Sequence, residues 1–151
     1  IILMRHKKNT RPGVILMIDD NPTDVLLIKE AFTFCQGNCG IYVAEDGVYA
    51  IEFLKRQGQY LDVPRPDIIL LDLNMPRKNG FEVLMEVKTD SDFKSIPIII
   101  YTSSVAKEDI RIAYHYHANG YIRKSADFDE CIKIARSIQD FWFSTSILYE
   151  P

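Results

Sequence analysis

A chain of 151 residues with 47% hydrophobic and 26% charged residues, seven Gly and seven Pro, has single-domain length and can bury a core without disulfide or metal staples. That composition excludes disorder, a collagen-like repeat and a coiled coil, and no apolar run reaches the roughly 18–20 residues that cross a bilayer, so no membrane partner is expected. Eighteen Lys and Arg against 21 Asp and Glu, a net charge of −3, argue against a nucleic-acid partner.

Residues 1–12 read as a flexible N-terminal arm. Apolar Ile1 to Met4 precede basic Arg5 to Lys8, the reverse of a secretory signal, so a cytoplasmic location is expected. Residues 14–18 form a short apolar run that ends in acids, the first strand. Asn21 and Pro22 then supply an N-cap and a first-turn proline for a helix over 22–34, with Val25, Ile28, Ala31 and Phe32 at core spacing. A second strand is expected at 41–44. Asp46 caps a helix carrying Ala50, Ile51 and Leu54. Gly37 and Gly40 around Cys39 read as a turn, and residues 58–66 as a loop.

Four aliphatics at 68–71 predict a strand covered on both faces. A loop over 72–79 leads to a helix at 80–87, an all-apolar strand at 96–101 and a helix at 106–117. A strand at 120–123 and a last, longest helix at 127–143 complete the chain. Five strands alternating with five helices, joined by right-handed crossovers, require a parallel sheet covered on both faces. The expected fold class is therefore α/β, a flavodoxin-like doubly wound (βα)5 unit with strand order 2-1-3-4-5. The domain is expected to span 13–143, with 144–151 as a C-terminal tail.

In such sheets the site lies at the carboxyl ends of the strands, beside the reversal of strand order. Asp19 and Asp20 follow the first strand, Asp72 the third, Thr102 the fourth, and Lys124 ends the fifth. Alone, each reads as a solvated turn or cap. Together they converge on one cleft, because these strands are neighbours. Three carboxylates at close range repel one another and need a cation. Lys124 offers one charge, and a hard divalent ion with oxygen ligands, most naturally Mg²⁺, offers the rest. Such a site can hold a phosphoryl group beside a nucleophilic Asp, with Thr102 and Lys124 on the phosphoryl oxygens.

The surrounding motifs carry a family likeness. "ILMIDDN" (15–21), "IILLDLNMPRKNGFEVL" (68–84), "IPIIIYTSS" (96–104) and "GYIRK" (120–124) resemble the receiver domain of two-component response regulators over nearly the whole chain. The resemblance implies Asp72 as phosphoacceptor and a metal held by Asp19, Asp20, Asp72 and the backbone carbonyl of Asn74. It makes Thr102 the switch hydroxyl, Lys124 the site lysine, and Tyr121 the aromatic that turns inward with Thr102. Ser103 matches a small residue that leaves access to the phosphoryl group, and Asn74 and Ser104 match positions that tune acyl-phosphate lifetime. It also implies a histidine kinase as partner and a signalling protein, not a turnover enzyme. The long connection at 58–66, "ADFDE" (126–130) and the aromatic tail "FWFSTSILYEP" (141–151) look most like single-domain regulators paired with cyanobacterial phytochromes. One departure stands out: the family usually places Pro after the lysine, in cis, whereas Ser125 follows Lys124, where a cis bond would cost about 2.5–4 kcal/mol.

Two other function classes compete with a phosphorylation switch. A haloacid dehalogenase-type phosphohydrolase also uses an Asp nucleophile and Mg²⁺, but wants DxD where this chain has Asp19-Asp20-Asn21. A pseudo-receiver would act by binding alone and would lack one of the acids or the lysine. His115 and His117, two apart on a helix, point to different sides and read as solvated or packing residues. Cys35, Cys39 and Cys131 read as reduced packing thiols rather than zinc ligands. Tyr114 and Tyr116 read as surface aromatics. Output is expected through a changed surface, with no output domain after the receiver. On the last helix Phe128, Cys131, Ile132, Ala135, Ile138 and Trp142 can face the sheet, whereas Ile134, Phe141 and Phe143 form an excess apolar stripe with the tail. A homodimer through Ile134, Phe141, Trp142 and Phe143 is expected from it.

Overall fold

A computed structural model describes residues 11–151. One five-stranded parallel sheet has the order β2-β1-β3-β4-β5, as the alternation of elements requires. Its strands are β1 (Gly13–Ile18), β2 (Cys39–Ala44), β3 (Ile68–Leu71), β4 (Ile98–Thr102) and β5 (Gly120–Arg123). The helices are α1 (Pro22–Phe34), α2 (Gly47–Leu54), α3 (Gly80–Thr89), α4 (Lys107–His115) and α5 (Phe128–Ile138).

The period of two along each central strand divides the core into two layers. Leu16, Ile18, Ile69, Leu71, Ile98 and Ile100 face α2, α3 and α4. Ile15, Met17, Ile68, Leu70, Ile99 and Tyr101 face α1 and α5. Both faces of β1, β3 and β4 are covered, so these strands read as unbroken apolar runs in the sequence. Of the expected core positions on α1, Ile28, Ala31 and Phe32 are buried and Val25 is half-buried.

Register places the site. Ile18 pairs with both Ala44 and Leu71, and Thr102 pairs with Arg123. The ladder runs one residue further at the carboxyl ends. Asp72 N–H donates to Ile18 O at 3.0 Å, Asp19 N–H to Ala44 O at 3.0 Å, and Lys124 N–H to Thr102 O at 2.8 Å. Asp19, Asp72 and Lys124 are thus each the first residue to leave a strand whose position is fixed by pairing, and Thr102 is the last residue of β4.

Helix α4 stops at His115, so His117 lies beyond it, and α3 runs on to Thr89; three further boundaries depart from expectation for a local reason. β2 begins at Cys39, because Gly13 pairs with it, and Gly40 therefore lies in the strand and not in a turn. β4 begins at Ile98 because Ile96 closes a turn on Phe93 and Pro97 has no N–H to add to a ladder. The last helix is α-helical only to Ile138 and continues as a π-helical segment, Gln139–Thr145. The wider turn lays the Phe143 ring 2.5 Å from where a Gly13 Cβ would be, and packs the Gln139 side chain over Gly37.

Residues 1–10 of the expected arm lie outside the described residues. Arg11 is not loose. It pairs with Asp67 at 2.6 Å and with Glu150 at 3.2 Å, and Asp67 also accepts the Val14 N–H at 2.8 Å. The C-terminal tail is therefore drawn back to the start of β1.

Candidate functional site

The carboxyl ends of β1, β3, β4 and β5 and the first turn of α1 line a cleft of about 410 Å³, through residues that include Asp20, Asp24, Asp72, Asn74, Ser103 and Lys124. Asn21 shapes one wall. Its side-chain oxygen accepts the N–H groups of Thr23 at 3.0 Å and Asp24 at 3.2 Å, so α1 starts directly after the acidic pair. The β3–α3 loop forms the opposite wall. Gly80 N–H donates to Leu73 O at 3.0 Å, folding Asn74 back over Asp72, whose carboxylate accepts the Asn74 N–H at 3.4 Å.

Asp19 and Asp72 are buried and Asp20 is exposed. Carboxylate oxygens of all three lie within 4.8 Å of one another, the arrangement a single cation can share. Lys124 reaches into this group. Its Nζ lies 2.7 Å from Asp19, 2.9 Å from Asp24 and 3.3 Å from Asp72. The Lys124–Ser125 bond is trans, as are all peptide bonds among the described residues, and the lysine reaches the acids from it. Burial lowers the pKa of Lys124, but the three carboxylates overcome that and hold it above its ordinary value. It is an ammonium at every physiological pH.

Burial pushes the Asp19 carboxyl up, against the opposing pull of Lys124 and the Asn21 N–H, and the charge of Asp72 adds to the rise. Asp19 therefore favours folding in its protonated form. That contribution is complete below the ordinary carboxylate range and is lost as pH rises through the folded value. At neutral pH one ammonium leaves the cluster short of positive charge, and a divalent cation would offset the deficit. Thr102 strengthens the case for a ligand. Its hydroxyl oxygen is buried at the end of β4 with no hydrogen-bond partner, a costly state unless the group has an acceptor to meet.

The remaining expected residues sit around this centre. Tyr121 is half-buried and its hydroxyl donates to Ser104 O at 2.9 Å; burial raises its phenol. The Ser104 side chain does not project freely toward Asp72. Ala106 offers no side-chain cap to α4, and Ser104 Oγ accepts the Ala106 N–H and donates to Asp109 at 2.5 Å. Asn74 is exposed at the mouth of the cleft.

The expected interface residues divide. Ile134, Trp142 and Phe143 are half-buried against the layer formed by α1 and α5, as is Leu148 in the tail. Phe141, Ile147 and Tyr149 remain exposed, at 53%, 92% and 68%. The π-helical turn produces this division by swinging Phe143 onto Gly13. Tyr114 and Tyr116 lie on the surface.

Two participants escaped the sequence reading. Asp24 reads as an ordinary acidic residue in the first turn of a helix, and its contact with Lys124 spans 100 positions, so no local signal announces it. Asp46 caps α2 through the Tyr49 N–H as expected, but its other oxygen holds Arg77 at 2.6 Å, and Arg77 lies over the Tyr49 ring at 4.8 Å. The β3–α3 loop is thereby tied to α2.

Comparison with known proteins agrees with this geometry. The family model for the response regulator receiver domain matches residues 15–136. The response regulator Rcp1 of Synechocystis sp. is 38% identical over 137 residues, covering 91% of this chain and 93% of that protein. The solved structure of the phosphorylated cyanobacterial phytochrome response regulator RcpA has a TM-score of 0.86 at 38% identity, covering 92% of this chain and 99% of that one. The Mn²⁺-bound form of Rcp1 has a TM-score of 0.84 at 37% identity, covering 92% and 100%. The haloacid dehalogenase-type alternative is set aside by these matches and by the acidic pair, which stands directly at the end of β1 in place of DxD. From the sheet order, the acid cluster at its carboxyl edge and the family match across the domain, it follows that this chain belongs to the response regulator receiver domain family.

Proposed function

We propose that Asp72 is the phosphoacceptor of a phosphorylation switch whose donor is a histidine kinase, and that this kinase works with a phytochrome in the cytoplasm. The observation that carries the reading is Asp72, buried at the end of β3, lining the cleft and 3.3 Å from Lys124 Nζ, with the buried and unpartnered Thr102 hydroxyl at the end of the neighbouring strand β4. An ammonium thus lies against a buried carboxylate that opens to the cleft, where it can neutralise a transferred phosphoryl group. The phytochrome part rests on the similarity to Rcp1 and RcpA.

A carboxylate oxygen of Asp72 attacks the phosphorus of the donor phosphohistidine. The P–N bond breaks, its electron pair goes to the imidazole nitrogen, and an acyl phosphate remains on Asp72. Lys124 and Thr102 then donate to phosphoryl oxygens. Asp19, Asp20, Asp72 and the Asn74 carbonyl would hold Mg²⁺, which supplies neutralising charge when bound. Asn74 and Ser104 set the access of water to the acyl phosphate and so its lifetime. The chain is a signalling protein and turns over only its own phosphoryl group. Incubation with acetyl phosphate and Mg²⁺ tests this directly: about one phosphoryl group per chain is expected. No label at all would leave a pseudo-receiver that acts by binding alone.

Thr102 couples the phosphoryl group to the surface. Its movement toward that group would free space for Tyr121, which now holds Ser104 O at the start of the loop before α4. A local change of charge thereby alters the α4–β5–α5 face. The Thr102→Ala variant should take label at a rate within about threefold of wild type, yet lose the phosphorylation-dependent shift of the Tyr121 amide in NMR spectra. An unaltered shift in that variant would remove the coupling.

The exposed patch of Phe141, Ile147 and Tyr149 supports self-association through the C-terminal face, with Phe141 near its centre and Ile134, Trp142 and Phe143 bracing it from below. Sedimentation at tens of micromolar should give a dimer for the full chain, as an interface of about 8 kcal/mol requires. Phe141→Asp should sediment as a monomer. A monomeric wild type at that concentration would reject the dimer.

A further inference from the structure

Asp24 has no part in the site described above beyond its contact with Lys124, and that contact is where it acts. An ammonium has three N–H donors. Lys124 Nζ faces three carboxylates, Asp19 at 2.7 Å, Asp24 at 2.9 Å and Asp72 at 3.3 Å. The longest of the three is to the residue that receives the phosphoryl group. Lys124 itself is 7% exposed, so water cannot readily supply a substitute partner.

We propose that Asp24 is a positioning residue that holds Lys124 in the unmodified chain and gives it up to the phosphoryl group. This rests on the reading of Asp72 as phosphoacceptor. The hydrogen bonds that aim Lys124 Nζ go to Asp24 and Asp72, while Asp19 faces it as an ion pair; a phosphoryl group on Asp72 takes over the Asp72 contact and draws the lysine against the pull of Asp24. The Asp19 side chain is 1% exposed and its carboxylate cannot be left bare without a large desolvation cost. The Asp24 side chain is 29% exposed and sits at the cleft mouth, where water takes over as the lysine leaves. Asp24 is therefore the contact that breaks most easily. Its position is built and not incidental: the Asn21 cap accepts the Asp24 N–H, and Pro22 fixes the start of the same turn.

The two states differ in one exchange, Asp24 for phosphoryl oxygen, with the lysine's contact to Asp19 retained. Asp24 thus competes with the phosphoryl group and slows its capture. Wild type, Asp24→Asn and Asp24→Glu are to be compared as full chains, labelled with acetyl phosphate at fixed Mg²⁺, with thermal midpoints measured alongside. Asp24→Asn should label about five to ten times faster than wild type, the effect of removing one charged competitor at close range. Asp24→Glu, which keeps the carboxylate, should return to within about twofold of wild type. Asp24→Asn that labels at the wild-type rate or more slowly, with an unchanged midpoint, overturns the proposal. So does acceleration by Asn and Glu alike, which would mean a loosened helix start. A wild-type chain that takes no label overturns the phosphoacceptor reading itself, and this inference with it.

Discussion

Asp72→Asn is expected to abolish labelling by acetyl phosphate, with the rate falling by at least about a thousandfold, because a neutral amide oxygen is a poor nucleophile. The loss should not reflect unfolding. Asn fits the same space, and Lys124 keeps its contacts with Asp19 at 2.7 Å and Asp24 at 2.9 Å, so the thermal midpoint should stay at or above that of wild type. Asp20→Ala should also lose labelling by removing one of the three acids whose carboxylate oxygens lie within 4.8 Å of one another, close enough to share a cation. Cys39→Ala should label normally, since Cys39 begins β2 at the far end of the sheet, against Gln139. The bond formed in wild type should be an acyl phosphate, cleaved rapidly in base. A label stable to base and labile to acid, on His115 or His117, would overturn the assignment.

Gly80→Ala should be the most destabilising single-methyl change at this edge of the sheet. A Cβ at Gly80 would run into the carbonyl oxygen of Asp72 and stand 2.6 Å from the Leu73 Cα. Both obstacles are backbone. No side chain can swing away, so either α3 or the end of β3 must shift. Overpacking of this kind costs about 3 kcal/mol, which for a domain of this size lowers the thermal midpoint by about 10 °C. Labelling should fall with it, because the same contact sets the carboxyl end of β3 from which Asp72 projects. Differential scanning calorimetry measures the first effect. A midpoint within about 2 °C of wild type would show that the loop yields at little cost.

Much of this protein was legible without coordinates. The unbroken apolar runs at 68–71 and 98–101 predict strands covered on both faces. Once five such strands alternate with helices, handedness leaves little choice of strand order. The acids and the lysine follow strands and the threonine ends one, so their gathering at one edge of the sheet was legible too: parallel pairing lines up strand ends. These are local signals combined with a general rule of topology, and the side-chain period of two carries them.

Contacts between elements far apart in the chain were not legible. That Asp24 of α1 meets Lys124 after β5, or that Arg77 of the β3–α3 loop grips Asp46 before α2, depends on how helices seat on the sheet. No spacing within one segment encodes that. Nothing in the spacing shows that the Ser104 side chain also serves the uncapped start of α4, donating to Asp109 and accepting the Ala106 N–H. The stripe on the last helix was read with a period of 3.6 throughout, but the turn widens after Ile138 and moves Phe143 off the surface and onto Gly13. Alternation, strand ends and the side chains that leave them are written locally along the chain. Which of those side chains share a lysine, which apolar residues stay in water and how the tail is tied to Arg11 follow instead from packing shapes and long-range pairing, which no local periodicity encodes.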